Sequence, residues 1–219
     1  DLILVSVDDH AIEPRGAFDR HMPAKFKGRQ PKVVQSRGRD VWVFEDRATG
    51  YMGLNSVVGR PKEEYGMEPL GYEQMRRGTW DIKARVDDMN ANGVLGSICF
   101  PTFPGFAGQL FQSYEDRGVS LAAIQAYNDW HLHDWCNAAP GRFIPLSLIP
   151  WWDGELAAQE IRRMAADTRQ ALEDTRVAGS VWRHVLQDTL RALGGSAPLQ
   201  AIYDRMQGKR PTANAKWKE

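Results

Sequence analysis

Asp8 and His10 stand two residues apart, directly after the apolar run from Leu2 to Val7. Where a strand leads into a loop, side chains at i and i+2 point to the same side. A carboxylate oxygen and an imidazole nitrogen so placed can both reach one divalent cation, and mixed O/N ligands suit Zn²⁺, Mn²⁺ or Fe²⁺. Asp9 faces the other way, positioned to brace the pair from behind. Asp-x-His alone is a weak motif, and on spacing alone a hydrogen-bonded loop carboxylate is the commoner reading.

Other residues compete for a role. His131 and His133 imitate a His-x-His pair, but they fall inside a predicted helix, where residues two apart point about 200° apart. They read as packing or surface histidines. His21, before Met22-Pro23, reads as a surface residue. Thr102, Phe103 and Phe106 follow a second apolar run, and Trp151 and Trp152 a third. They form either an aromatic wall for a planar or apolar substrate or a plug of aromatics closing the top of the fold. Arg76, beside Arg77 in a long loop, could hold a substrate carboxylate bidentately, although a solvated loop arginine is commoner.

The elements that must position these residues follow from the hydrophobic pattern. Leu2 to Val7, Val94 to Phe100 and Phe143 to Ile149 are short, nearly continuous apolar runs, the pattern of strands buried on both faces. Asp81 reads as a helix N-cap, and Gly93 is placed to end that helix. Ser113 to Cys136 is a long helical stretch with Gly118 as a weak point, broken by Pro140-Gly141. Asp153 caps a helix through about Ala166. Val41 to Phe44 predicts a short strand pairing with Lys32–Val34 or with Tyr51–Leu54, in an excursion spanning about 15–80. Gly59 to Gly78 reads as a long loop of the kind that is often functional. Apolar strands alternating with helices predict an α/β fold with a parallel sheet, whose strand C-termini share one face. In α/β barrels that face carries the active site.

Bulk composition narrows the function. Acidic and basic residues balance at 28 each, which argues against a nucleic-acid sink or a polybasic membrane anchor. No apolar run is long enough to span a bilayer. Two distant cysteines, Cys99 and Cys136, make a disulfide framework or structural zinc site a poor fit and favour a cytoplasmic protein. The opening residues read as a strand rather than a signal peptide, and the lack of an initiator Met points to missing upstream residues.

Val5-Ser6-Val7-Asp8-Asp9-His10-Ala11-Ile12-Glu13-Pro14 resembles the first-strand signature of the amidohydrolase-related family that includes aromatic-acid decarboxylases. The likeness continues in Tyr72-Glu73-Gln74-Met75-Arg76, Lys83-Ala84-Arg85-Val86-Asp87-Asp88-Met89 and Cys99-Phe100-Pro101-Thr102-Phe103-Pro104. Ala126-Tyr127-Asn128-Asp129-Trp130 and Pro140-Gly141-Arg142-Phe143-Ile144-Pro145-Leu146 extend it to about residue 167. The resemblance implies a partial (β/α)₈ TIM-type barrel, its N-terminal part only, over residues 1–167. It implies Asp8 and His10 as ligands of one divalent metal ion (Zn, Mn or Fe). It further implies hydrolysis or decarboxylation of a small carboxylated or aromatic substrate.

Past Ala166 the pattern departs from that family. The later strands that would bring two more His and an Asp are not found, and His184 lies in a predicted helix. The catalytic base therefore stays unassigned. Residues 168–219 read as a helical tail. Thr189 to Gly195, Leu199 to Tyr203 and Arg210-Pro211-Thr212 weakly resemble the start of a winged-helix module, with an ordinary helical hairpin the commoner reading. Three alternatives follow: an enzyme that completes its barrel as a homo-oligomer, an inactive truncated, frame-shifted or chimeric product, and a regulatory module that binds DNA through the tail.

Overall fold

The computed structural model describes residues 4–49, 54–66 and 71–171. Contacts group Ile3–Ala166 into one compact unit and Asp167–Glu219 with Asp1–Leu2 into another. Of the second unit only 167–171 are described, and they are helical. The sequence reading of a helical tail with winged-helix character, His184 included, lies outside the described residues.

The larger unit is mixed α/β. Strands β1 (Leu4–Ala11), β5 (Val94–Pro101) and β6 (Phe143–Ile144) form a parallel sheet in the order β1-β5-β6. Strands β2 (Lys32–Ser36), β3 (Arg39–Phe44) and β4 (Arg47–Thr49) form a separate antiparallel meander. The pairing of β3 with Lys32–Ser36 matches the first of the two partners read from sequence; on its other side β3 pairs with Arg47–Thr49, and the alternative at Tyr51–Leu54 falls on residues 51–53, outside the described residues.

Helix α1 (Ile82–Ala91) begins where expected, because the Asp81 carboxylate accepts the Ala84 N–H at 3.0 Å and so satisfies one of the orphan donors of its first turn. Gly93 follows at φ +68°, a conformation glycine adopts without steric cost. The long helix expected from Ser113 to Cys136 is divided into α2 (Gln109–Gln112), α3 (Arg117–Asp129) and a π-helical segment, Trp130–Cys136. Asp116 caps α3 through the N–H groups of Gly118 and Val119, which fixes its start one residue before the glycine. A further helix, α4, runs from residue 154, capped by Asp153 through the N–H groups of Glu155 and Leu156.

Two strand expectations are corrected. Strand β1 does not stop at Val7: its pairing with β5 continues through Asp9–Cys99, His10–Phe100 and Ala11–Pro101, since backbone pairing is indifferent to side-chain polarity. The third strand shrinks from seven residues to Phe143–Ile144. Pro145 has no N–H to give a ladder, and the buried Asn128 amide takes over farther on, donating to the Leu148 carbonyl at 2.9 Å and accepting its N–H at 2.7 Å.

The core gathers beside the meander. Phe103 stacks on Trp42 at 4.4 Å between ring centroids, Phe18 and Phe111 pack edge-to-face against this pair, and Phe44 packs edge-to-face on Phe111. Such pairs add to the apolar area already buried. Among the described residues no helix is long and apolar enough to cross a membrane.

Candidate functional site

The pairing register decides which way the candidate ligands face. Ser6 pairs with Ser97 and Asp9 with Cys99, leaving two residues of β1 opposite one of β5, the count of a β-bulge. Ser97 and Cys99 are buried against the helices, and the Ser97 hydroxyl donates to the Asp9 carboxylate at 2.5 Å. Asp9 therefore faces the helices, with the Arg85 guanidinium 3.7 Å away. Strand alternation turns Asp8 and His10 to the opposite, open face. The two lie within β1 itself, near its C-terminal end, rather than in a loop beyond it.

His10 is half-buried and its ring lies 6.0 Å from that of Phe100. Its carbonyl accepts a hydrogen bond from Arg85 at 2.5 Å, which pins the strand from behind. Its Nδ1 is buried without a hydrogen-bond partner, a state that calls for an explanation in a native fold. Asp8 is exposed. A free carboxylate and an imidazole nitrogen on one face fit the donor set of a borderline divalent cation. Among the described residues, no third His, Cys, Asp or Glu joins them at coordinating distance.

The remaining residues expected at the site separate into two groups. Phe106, 74% exposed, and Trp151, 58% exposed, stand free beyond β5 and β6. Phe106 lies in a loop whose Gly105, Ala107 and Gly108 all have positive φ, with Ala107 at +53°, uncommon for a residue with a Cβ. The others are occupied. Phe103 is 6% exposed and belongs to the core through its stack on Trp42, so it is no part of a substrate wall. Trp152 is half-buried against the core beneath the Arg117 guanidinium, 4.8 Å from the ring centroid. Arg76 is held by both oxygens of Asp88, at 2.7 and 2.5 Å, which commits the guanidinium intended for a substrate carboxylate. Thr102 is buried, its hydroxyl donating to the Ala11 carbonyl at 2.8 Å and accepting from Asn55 at 3.1 Å.

The histidines outside β1 follow their surroundings. His131 is fully buried with both ring nitrogens unpartnered, while His133 is exposed, as their spacing on a helix requires. Burial alone pushes the His131 imidazole down to about 4. His21 is not a free surface residue: it is half-buried, and its Nε2 lies 2.8 Å from the Asp134 carboxylate.

Two contributors escaped sequence reading. Arg85 was visible only as part of a motif, and its reach across to the His10 carbonyl is a tertiary fact. Glu13 appeared in the sequence only as part of the first-strand signature, before Pro14. It is fully buried, and its carboxylate oxygens accept the N–H groups of Thr102 and Phe103 at 3.0 and 2.9 Å. Burial pushes its carboxyl up to about 7, against the lowering effect of the backbone N–H groups of Phe103, Glu13 itself and Thr102. Its position three residues after His10 and next to a proline was the one available signal.

No family model matches the chain, and no curated protein matches it. Among solved structures, an amidohydrolase from Mycobacterium avium subsp. paratuberculosis K-10 is similar over 76% of this chain, with a TM-score of 0.57 and 22% sequence identity. The match covers 47% of that chain, so this chain spans about half the length of the amidohydrolase it resembles. The likeness is one of fold, and the described unit has an amidohydrolase-like fold.

Proposed function

We propose that residues 3–166 form the front part of a (β/α) barrel of a metal-dependent amidohydrolase-type enzyme. Asp8 and His10 supply two of the ligands to one divalent ion. The observation that carries this reading is the buried, unpartnered Nδ1 of His10 beside a free carboxylate on the same face of β1. Structural likeness to an amidohydrolase supports the same class of chemistry.

A divalent cation at this position supplies Lewis acidity toward a carbonyl or carboxylate oxygen and lowers the pKa of water. The chain's own residues do the positioning. Asp8 and His10 hold their donor atoms on one face, Arg85 and Asp9 brace β1 from the other, and the exposed rings of Phe106 and Trp151 offer planar walls to a small carboxylated or aromatic substrate. Hydrolysis and decarboxylation are both compatible with this set. Two ligands fall short of the three protein ligands that catalytic zinc sites use, so full activity calls for ligands beyond the described residues.

Metal content tests the reading. Protein purified after growth with Zn²⁺, Mn²⁺ or Fe²⁺ should carry near-stoichiometric metal, and Asp8→Asn or His10→Ala should lose most of it. Wild-type protein without bound metal under all three conditions overturns the proposal.

A further inference from the structure

Glu13 is the one fully buried carboxylate at the C-terminal edge of the sheet, and it has no cation beside it among the described residues. A buried charge without a counter-ion is costly and requires some compensating arrangement. Here the compensation is the loop that leaves β5, because both carboxylate oxygens are taken by backbone N–H groups of Thr102 and Phe103. The same junction is tied twice more, by the Thr102 hydroxyl on the Ala11 carbonyl and by the Tyr72 hydroxyl on the Glu13 carbonyl at 2.5 Å.

We propose that Glu13 is a positioning residue of the candidate site: by holding two successive N–H groups, its carboxyl group fixes the loop that carries Phe106 against the strand that carries Asp8 and His10. The proposal rests on the metal-site reading only for what the loop is positioned to serve; the clamp itself stands on the contacts of Glu13.

The titratable groups that feel Glu13 are Tyr72, from the short helix Tyr72–Gln74, and Tyr127, from α3. Burial raises both phenols, so both are neutral near neutral pH. The clamp therefore titrates through Glu13. Opening the loop to water returns the carboxyl toward 4.5 from about 7, so the closed loop binds its proton more tightly than the open one. Closure is strongest below pH 4.5 and weakens as pH rises to about 7.

Amide hydrogen exchange at Thr102 and Phe103 in the full chain, corrected for intrinsic rates, tests this. In wild type, protection should fall as pH rises from 4.5 to 7, by up to roughly two orders of magnitude, and level off above. Glu13→Gln should lose at least tenfold of that protection and show no such pH dependence, because the amide offers one acceptor and does not titrate. A flat wild-type profile overturns the proposal and needs no variant, so a variant that fails to fold does not blunt the test. Unchanged protection in Glu13→Gln overturns it as well. A Zn²⁺ titration of wild type and Asp8→Asn, run in parallel, separates the two readings. Absent zinc binding, together with metal-free protein after growth with each of Zn²⁺, Mn²⁺ and Fe²⁺, sinks the metal site and leaves the clamp where the exchange profile is intact.

Discussion

The two faces of the β1-β5-β6 sheet differ in almost every respect. On the helix side, Ala11, Ser97, Cys99 and Phe143 are buried, Trp135 packs against Phe143, and the Asp9 charge lies near Arg85. On the other side, Val7 is 64% exposed and Ile144, two strands away, 49%, and Asp8 and His10 follow Val7 along β1. One face has been sealed by packing, whereas the other keeps apolar and ligand-type side chains at the surface. In a closed barrel the corresponding face is filled by layers of branched side chains. The contrast separates a face held by packing from a face that presents the candidate ligands. The sealed face should respond to substitution in folding measurements, the open one in binding measurements.

The largest expected effect uses two phenylalanines three residues apart. Phe103→Ala removes a ring stacked on Trp42 and packed against Phe18 and Phe111. It should lower unfolding stability by about 3–5 kcal/mol, the usual cost of truncating a large core aromatic. Phe106→Ala, on the exposed side of the same loop, should stay within about 0.5 kcal/mol of wild type. Urea denaturation of both variants checks this, and equal costs would erase the distinction between the packed and the open side of this loop.

The second effect is a pair of opposed pH dependences behind the sealed face. Glu13 has a native value above that of the unfolded chain, so its contribution is complete below 4.5 and fades as pH rises to about 7. His131 has a native value below the unfolded 6.5, so its contribution is complete above 6.5 and fades as pH falls to about 4. Each difference corresponds to a limit of about 3 kcal/mol, and across the shared window they offset one another. Relative to wild type, His131→Phe should therefore tilt stability downward with rising pH, and Glu13→Gln should tilt it downward with falling pH. Denaturation midpoints between pH 4.5 and 7 decide the matter; slopes of the same sign in the two variants would show that the groups do not oppose one another.

How much of this was legible depended on whether local chemistry or tertiary direction set the outcome. The ends of α1 were readable because a cap at Asp81 and a glycine at 93 act through their own backbone neighbourhood. Strand β5 was readable as an apolar run. The extent of β1 was underread because Asp8-Asp9-His10 looks like a loop, while hydrogen bonding to Cys99–Pro101 comes from a partner far along the chain. Strand β6 was overread because nothing local announces that Asn128 will take the backbone groups of Leu148. At the site, residue types and the shared face of Asp8 and His10 followed from period-2 geometry. The inward turn of Phe103 and the capture of Arg76 by Asp88 did not, since membership of a loop says nothing about where a side chain points.

A smaller test compares a helix cap with the open face. Asp81→Ala deprives the Ala84 N–H of its acceptor at the start of α1 and should cost about 1 kcal/mol, readable as a reduced urea midpoint.

Val7→Thr carries the smallest folding effect and the sharpest meaning. The substitution keeps β-branching and volume while adding a hydroxyl. At a buried site that hydroxyl would have to find a partner or pay the desolvation cost. At 64% exposure it stays in water, so the unfolding free energy should move by no more than about 0.5 kcal/mol. The exposed apolar surface of β1 is nevertheless reduced, and exposed apolar patches promote association. Val7→Thr should therefore lower concentration-dependent self-association in sedimentation velocity while leaving the urea midpoint in place. A loss of stability comparable to that of Phe103→Ala would mean that this face is covered in solution, and that Asp8 and His10 are buried with it.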